Sequence, residues 1–192
     1  MSRPFEGIRV IDITHVLAGP FASYQLALLG ADVIKVEEPK DGDQARHAGP
    51  DKELNHRKMG VSFLNQGSNK RCVTLDLKTA EGREILRKLA GTADVLVENF
   101  RSGAMRSLGL GYEDLRKVNP RLIYCSLTAW GQEGPRGAHT AYDQVIQGYS
   151  GVMSITGRPD TGPLRCGPQL LDFGMGTTAA FAISSALFQR ER

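Results

Sequence analysis

Cysteine is scarce in this chain of 192 residues, at three, and Cys72, Cys125 and Cys166 are far apart. They form no C-x-x-C pair and no zinc-type spacing, so a metal or redox role is not expected of them. No excess of one charge is present: 24 basic residues stand against 21 acidic ones, a net +3. That is too mild to argue for nucleic acid, though it suits a small anionic partner. No run reaches the roughly 18 apolar residues that a bilayer span requires, so no membrane role is expected. The first residues, with Arg3 and Glu6, hold no apolar leader core, and the expectation is a reduced, cytoplasmic protein. Two nucleotide signatures are missing as well. The first βα turn, Asp12-Ile-Thr-His-Val-Leu-Ala-Gly-Pro20, lacks G-x-G-x-x-G, and no G-x-x-x-x-G-K-[ST] run occurs. No internal repeat stands out.

What is present is an alternation of short apolar runs with helical segments. Ile8–Ile13, Ala31–Glu37, Arg71–Leu77, Ala93–Glu98 and Leu122–Leu127 read as strands. Helices are expected over Phe21–Leu29, Thr79–Ala90, Gly103–Leu108, Tyr112–Val118, Ala141–Tyr149 and Thr177–Phe188. Pro20 suits a helix start and Gly30 a helix end. Residues 39–70 are polar, with Pro39, Gly42, Gly49, Pro50, Gly60 and Gly67, and read as one long irregular loop. The expected fold is α/β, an open, parallel, Rossmann-like sheet with flanking helices.

The richest segment is Cys166-Gly-Pro-Gln-Leu-Leu-Asp-Phe-Gly-Met-Gly176. Asp172 stands there between an apolar pair and a Phe-Gly-x-Gly turn, ahead of a long helix of small residues. Two readings compete. Asp is a favoured N-cap, worth about 1 kcal/mol. Alternatively, Leu170, Leu171 and Phe173 create an apolar niche that raises its pKa and suits a nucleophile. Gly174 and Gly176 are read as offering backbone N–H groups to a ligand.

Open α/β sheets bind ligands beyond the carboxyl ends of their strands. Lys35, Lys78, Arg101 and Arg106 lie near those ends, as phosphate partners or as solvated surface charge. Asn99 and Phe100 could hold an adenine by hydrogen bonding and stacking, or Phe100 could belong to the core. His15 sits in the first loop, where a lone histidine is more often structural. No Ser-His-Asp set can be assembled.

Several segments together resemble the family III CoA-transferases, whose relatives include a racemase branch. They are Thr14-His-Val-Leu-Ala-Gly-Pro20, Leu29-Gly-Ala-Asp-Val-Ile-Lys-Val-Glu-Glu-Pro39, Asn69–Lys78, Asp94-Val-Leu-Val-Glu-Asn-Phe-Arg101, Leu108-Gly-Leu-Gly-Tyr112, and Tyr142-Asp143 with Gln147 and Ser150-Gly151. The resemblance implies Asp172 as the nucleophile that moves CoA from an acyl-CoA to a free carboxylic acid. It implies coenzyme A held by Val16, Leu17 and Ala18, by the segment running to Leu77 and Lys78, and by Asn99 and Phe100. Arg101 or Arg106 would take phosphate, and Tyr142 would lie near the thioester. No metal is implied. Some members carry glutamine where Leu17 stands, so Leu17 and Met175 point to a less polar acyl pocket. The racemase branch has a histidine where Tyr142 stands, with His139 here the nearest, which favours transfer over racemisation. The resemblance further implies a homodimer, and a second domain with a glycine-rich loop beyond the span seen here. Residues 1–192 would then be a CoA-binding Rossmann-like domain, truncated relative to the family. Without its C-terminal half, it would be a fragment, a truncated gene product or one half of a split protein, and a non-catalytic CoA-binding half subunit stands as an alternative beside racemisation.

Overall fold

The computed structural model describes residues 2–192. Five strands form one parallel sheet: β1 (Arg9–Asp12), β2 (Asp32–Glu37), β3 (Lys70–Thr74), β4 (Val95–Glu98) and β5 (Ile123–Ser126). Their order is β3-β2-β1-β4-β5. The chain runs outward to β3, then returns to lay β4 against the other side of β1, with Val10 opposite Val95 and Ile11 opposite Leu96. Both faces are covered, so the inner strands read as near-continuous apolar runs.

The period-two alternation of the strands assigns their side chains to two cores. Val10, Val33, Val95 and Val97 point to one face, where they meet Leu26, Ala179, Ile183 and Leu187. Those partners come from α1 (Ala18–Leu28) and α8 (Leu170–Arg190). Ile11 and Leu96 point to the other face and meet Leu86, Leu110 and Leu115. There the cover is α4 (Ala80–Gly91), α5 (Ala104–Ser107) and α6 (Tyr112–Val118). Thr79 caps α4 by accepting from the N–H of Gly82 at 3.0 Å, the helix start its sequence position suggests.

Residues 39–70 are not one irregular loop. They hold a 3-10 turn (Gln44–His47), α2 (Lys52–His56) and α3 (Val61–Gly67). The segment is too polar and too short-ranged to show helical periodicity, and tertiary anchors set its shape. Asp43 starts the 3-10 turn by accepting from Ala45 N at 3.0 Å. Arg46 then clamps Glu37 with two bonds of 2.7 Å and covers the Phe63 ring at 3.7 Å.

The last helix also begins earlier than its small-residue run suggests, at Leu170 and not near Thr177. Gly174 and Gly176 are therefore helical, and their N–H groups serve the helix ladder, not a ligand. Gly176 has a packing role instead. A Cβ there would lie 2.6 Å from the Ala18 carbonyl oxygen and 2.9 Å from the Phe21 ring, so the glycine lets α8 cross α1 closely. With 21 residues and a mean hydropathy of 1.3 over its most apolar window, α8 has the length and composition of a bilayer span. The sequence reading had found no such segment. Ala179, Ile183 and Leu187 seat one face of it on the sheet, while Met175, Phe181 and Phe188 leave much of its apolar surface exposed.

Gly176→Ala should lower stability by about 1–2 kcal/mol despite alanine's better helix propensity, because backbone blocks the added methyl group. Urea unfolding of the two proteins measures this; an unchanged or higher midpoint would contradict it.

Candidate active site

The sheet's topological switch lies between β1 and β4, and the loops after both strands meet there. A buried ionic cluster beneath fixes the first of them. Asp12, fully buried, accepts from the backbone N–H of Thr14 at 2.9 Å, from Ser23 Oγ at 2.7 Å and from Lys70 Nζ at 2.9 Å. Burial alone would raise its pKa, but Lys35 and Lys70 outweigh that and hold it below the usual carboxylate range. Lys35 is not a surface cation near a phosphate. It is 1% exposed, bonds the Thr14 carbonyl at 2.8 Å and pairs with Asp43 at 2.9 Å. Burial would lower its pKa, yet Asp12 and Asp43 keep it raised and charged.

Asp43 passes this anchorage to the loop. Its other oxygen accepts from Val16 N at 2.9 Å, and Val16 sits in the left-handed region at φ 70°. A β-branched residue adopts that backbone only when its surroundings hold it there. From the β4 side, Asn99 makes a reciprocal pair with His15: the amide oxygen accepts from His15 N and the amide nitrogen donates to His15 O, both at 2.8 Å. The Asn99 side chain is thus committed to the loop and not free for a base. Phe100 is half-buried, meets the His15 ring edge-on at 5.4 Å and packs on the α4–α6 core. Burial lowers the pKa of His15.

Asp172 is not the cap of α8. It stands in the first helical turn, and the capping carboxylate arrives from α7 (Asp143–Tyr149). Asp143 Oδ1 accepts from the N–H groups of Leu171 at 2.8 Å and Asp172 at 3.2 Å, while its other oxygen accepts from the Gln147 amide. With that task taken, the Asp172 side chain is free. Burial first, and the charge of Asp143 second, push its pKa up to about 6. Phe21 meets Phe173 edge-on at 5.0 Å beside it and keeps α1 and α8 in contact.

Two clefts meet at Asp172. The first, of about 870 Å³ and partly open to solvent, is lined by Ala18, Asn99, Phe100, Arg101, Tyr142, Met175 and Asp172, among others. His139 also lines it. Arg136, stacked on Trp130 and Tyr149 at 5.4 and 4.5 Å, steadies the adjoining loop. The second cleft, of about 920 Å³, is lined by Val16, Leu17, Gln44, Ala48, Tyr142 and Asp172, among others. Tyr142, Asp143 and Asp172 border both. The expected site residues therefore converge from the first loop, the β4 end, α7 and α8. Leu77, Lys78 and Arg106 line neither cleft. Leu77 packs against the core, while Lys78 and Arg106 are exposed. Sequence reasoning missed the parts played by Asp43, Asp143 and Gln44. An Asp just ahead of a turn was the one available signal for Asp43. Among the described residues, no His/Cys/Asp/Glu group of three is placed to hold a metal.

A half-buried carboxylate with a raised pKa thus stands where two clefts meet above the parallel sheet of an α/β protein. Comparison with known proteins gives the family: residues 5–192 match the model of CoA-transferase family III, and the chain belongs to it. It is 44% identical over 192 residues to a succinate–glutarate CoA-transferase of Agrobacterium fabrum, covering 98% of this chain and 48% of that protein. It is 46% identical over 190 residues to an acetyl-CoA:oxalate CoA-transferase of Acetobacter aceti, covering 98% and 48%. A crystal structure of a CAIB/BAIF family protein from Brucella suis superposes with a TM-score of 0.92 at 41% identity, covering all of this chain and 51% of that one. The chain thus spans about half the length of the relatives it matches.

Asp172 should titrate near pH 6 when followed by carboxyl-carbon NMR. Asp143→Asn should move that midpoint down, toward the ordinary value near 3.8, because it removes a like charge while an acceptor oxygen stays at the helix start. The linked stability follows by sign. A raised folded-state pKa favours the protonated form, so stability is lost as pH rises through about 6. Asp172→Asn should therefore stabilise the chain at pH 8 and not at pH 3, below the ordinary value of 3.8, by roughly 1 kcal/mol once solvent screening of this half-exposed group is counted. An equal effect at both pH values would contradict it.

Proposed function

We propose that the protein transfers CoA between an acyl-CoA and a free carboxylic acid, with Asp172 as the covalent nucleophile. The observation that carries this reading is the placement of Asp172, relieved of capping duty by Asp143 and open to both clefts. The first cleft suits the coenzyme. Ala18, Asn99, Phe100 and Tyr142 would border the pantetheine, and Arg101 at the rim would meet phosphate. Val16 and Leu17 would wall the acyl side. Leu77, Lys78 and Arg106 would have to act from outside both clefts, on exposed parts of the coenzyme.

In this mechanism an Asp172 oxygen attacks the thioester carbonyl, the C–S bond breaks, and CoA leaves as thiolate with an aspartyl–acyl anhydride behind. Thiolate is a good enough leaving group that a carboxylate suffices, and a raised pKa makes that carboxylate a better nucleophile. The thiolate then attacks the Asp172 carbonyl, releasing the donor acid and leaving an aspartyl-CoA thioester. The acceptor carboxylate attacks that thioester, expels thiolate again and forms a second anhydride. Thiolate attack on the acceptor's acyl carbon yields the new acyl-CoA and frees Asp172. Close packing of α1 on α8 fixes the nucleophile relative to the first loop, which supports the positional demand of such exchanges.

On this reading residues 1–192 are the CoA-binding domain, and the relatives' extra length would complete the active protein. Homodimer formation belongs to the same proposal, supported by Phe181 and Phe188, which are 72% and 63% exposed on α8. A cytoplasmic location is consistent with three unpaired cysteines. A second reading, proton exchange at the α-carbon of an acyl-CoA, has one observation in its favour: His139 lines the same cleft as Asp172. Deuterium wash-in from heavy water separates the two.

Incubation with acyl-CoA followed by hydroxylamine trapping and mass spectrometry should place the modification on the peptide holding Asp172. Asp172→Asn should lose transfer by more than about a thousandfold while keeping CoA affinity. An unmodified Asp172 peptide in a CoA-binding, active protein would refute the role.

A further inference from the structure

What keeps Asp143 at the head of α8 bears on what keeps Asp172 available. Asp172 is the third residue of α8, after Leu170 and Leu171. An acid at that position ordinarily turns back onto the N–H at the helix start. The pattern is seen in α6, where Asp114, the third residue, accepts from the N–H of Gly111 at 3.2 Å. At α8 the carboxylate that meets the first-turn N–H groups, those of Leu171 and Asp172, is Asp143 instead. The two acids compete for one helix start, and like charge sets them against each other.

Asp143 keeps its place because Gln147 holds it. Gln147 lies one turn further along α7, is 0% exposed and lines neither cleft. Its amide can face only one way. Oε1 accepts from the N–H of Cys166 at 2.8 Å, which an amide nitrogen could not do. Nε2 is therefore turned to Asp143 Oδ2 and, at 3.4 Å, to the Pro168 carbonyl. One buried amide thus ties α7 to the segment that leads into α8. We propose, on the CoA-transferase reading, that Gln147 is a positioning residue: its bonds hold Asp143 on the start of α8, so that Asp172 stays turned to the clefts and the thioester. Without the amide, Asp143 loses one of its three N–H donors. Asp172 then falls back on the helix start, as Asp114 does in α6.

Gln147→Met and Gln147→Glu test this in the whole chain. Methionine fills the space and makes neither bond. In Gln147→Met the midpoint of Asp172, followed by carboxyl-carbon NMR, should drop from about 6 toward 3.8. Labelling of Asp172 by butyryl-CoA should slow about tenfold, with calorimetric affinity for free CoA unchanged. In Gln147→Glu the new carboxyl and Asp143 share one proton near pH 5, which restores the bond; near pH 8 they lose it and repel. The labelling rate of that variant, relative to the unsubstituted chain at the same pH, should be near one at pH 5 and about tenfold lower at pH 8. An unchanged midpoint and rate in both variants would overturn the proposal. So would a Gln147→Glu deficit equal at both pH values, the mark of lost packing and not of a lost bond. Should Gln147→Met fail to fold, the two-pH comparison on Gln147→Glu still decides. An Asp172 that butyryl-CoA does not label in the unsubstituted, CoA-binding chain would instead overturn the CoA-transferase reading, and the NMR midpoints would then decide the contest for the helix start.

Discussion

The buried ionic cluster under the first loop is the constraint on which the site's geometry depends. Taking a charge out of water costs several kcal/mol, repaid only by close partners and complete hydrogen bonding. Asp12, Lys35, Asp43 and Lys70 meet the first condition, with contacts of 2.8–2.9 Å among themselves and to the backbone of residues 14, 16 and 20, and one buried oxygen of Asp43 is met by its ion pair with Lys35 alone. Replacing the cluster by well-packed apolar groups need not weaken the fold. It would, however, release Val16 from its left-handed backbone, and with Val16 the wall shared by α1 and the second cleft.

The cluster and Asp172 are joined mechanically. Asp43 fixes Val16; the chain turns at Leu17 into α1; α1 touches α8 at Gly176, one turn beyond Asp172. A parallel connection runs from Asn99 through His15. The carboxylate at 172 is therefore positioned by elements from both sides of the topological switch, while Asp143 reaches it from α7. No single segment makes the site.

Much of the fold was legible because buried parallel strands announce themselves. Val10, Ile11, Val95, Leu96 and Val97 can only be an interior pair. The raised pKa of Asp172 was legible too, through its apolar neighbours. What stayed hidden depended on partners distant in sequence. Lys35 looks like any strand-end cation until Asp43 is folded over it. Residues 39–70 show no periodicity because their helices are short and held by Arg46 and Asp43, not by an amphipathic stripe. The start of α8 was misplaced because Gly174 and Gly176 resemble a loop, whereas the contact of Gly176 with Ala18 shows why a helix needs a glycine there. Nothing local to residues 166–176 says that the cap comes from Asp143.

The bond between Lys70 and Asp12 spans 58 residues of sequence. Loop-closure entropy of that order must be overcome before either charge finds its counterpart. Until β3 has docked at the sheet edge, the aspartate at the end of β1 lacks one of its two cations. The shape of the first loop is thus tied to the docking of the sheet's edge strand, a partner distant in sequence.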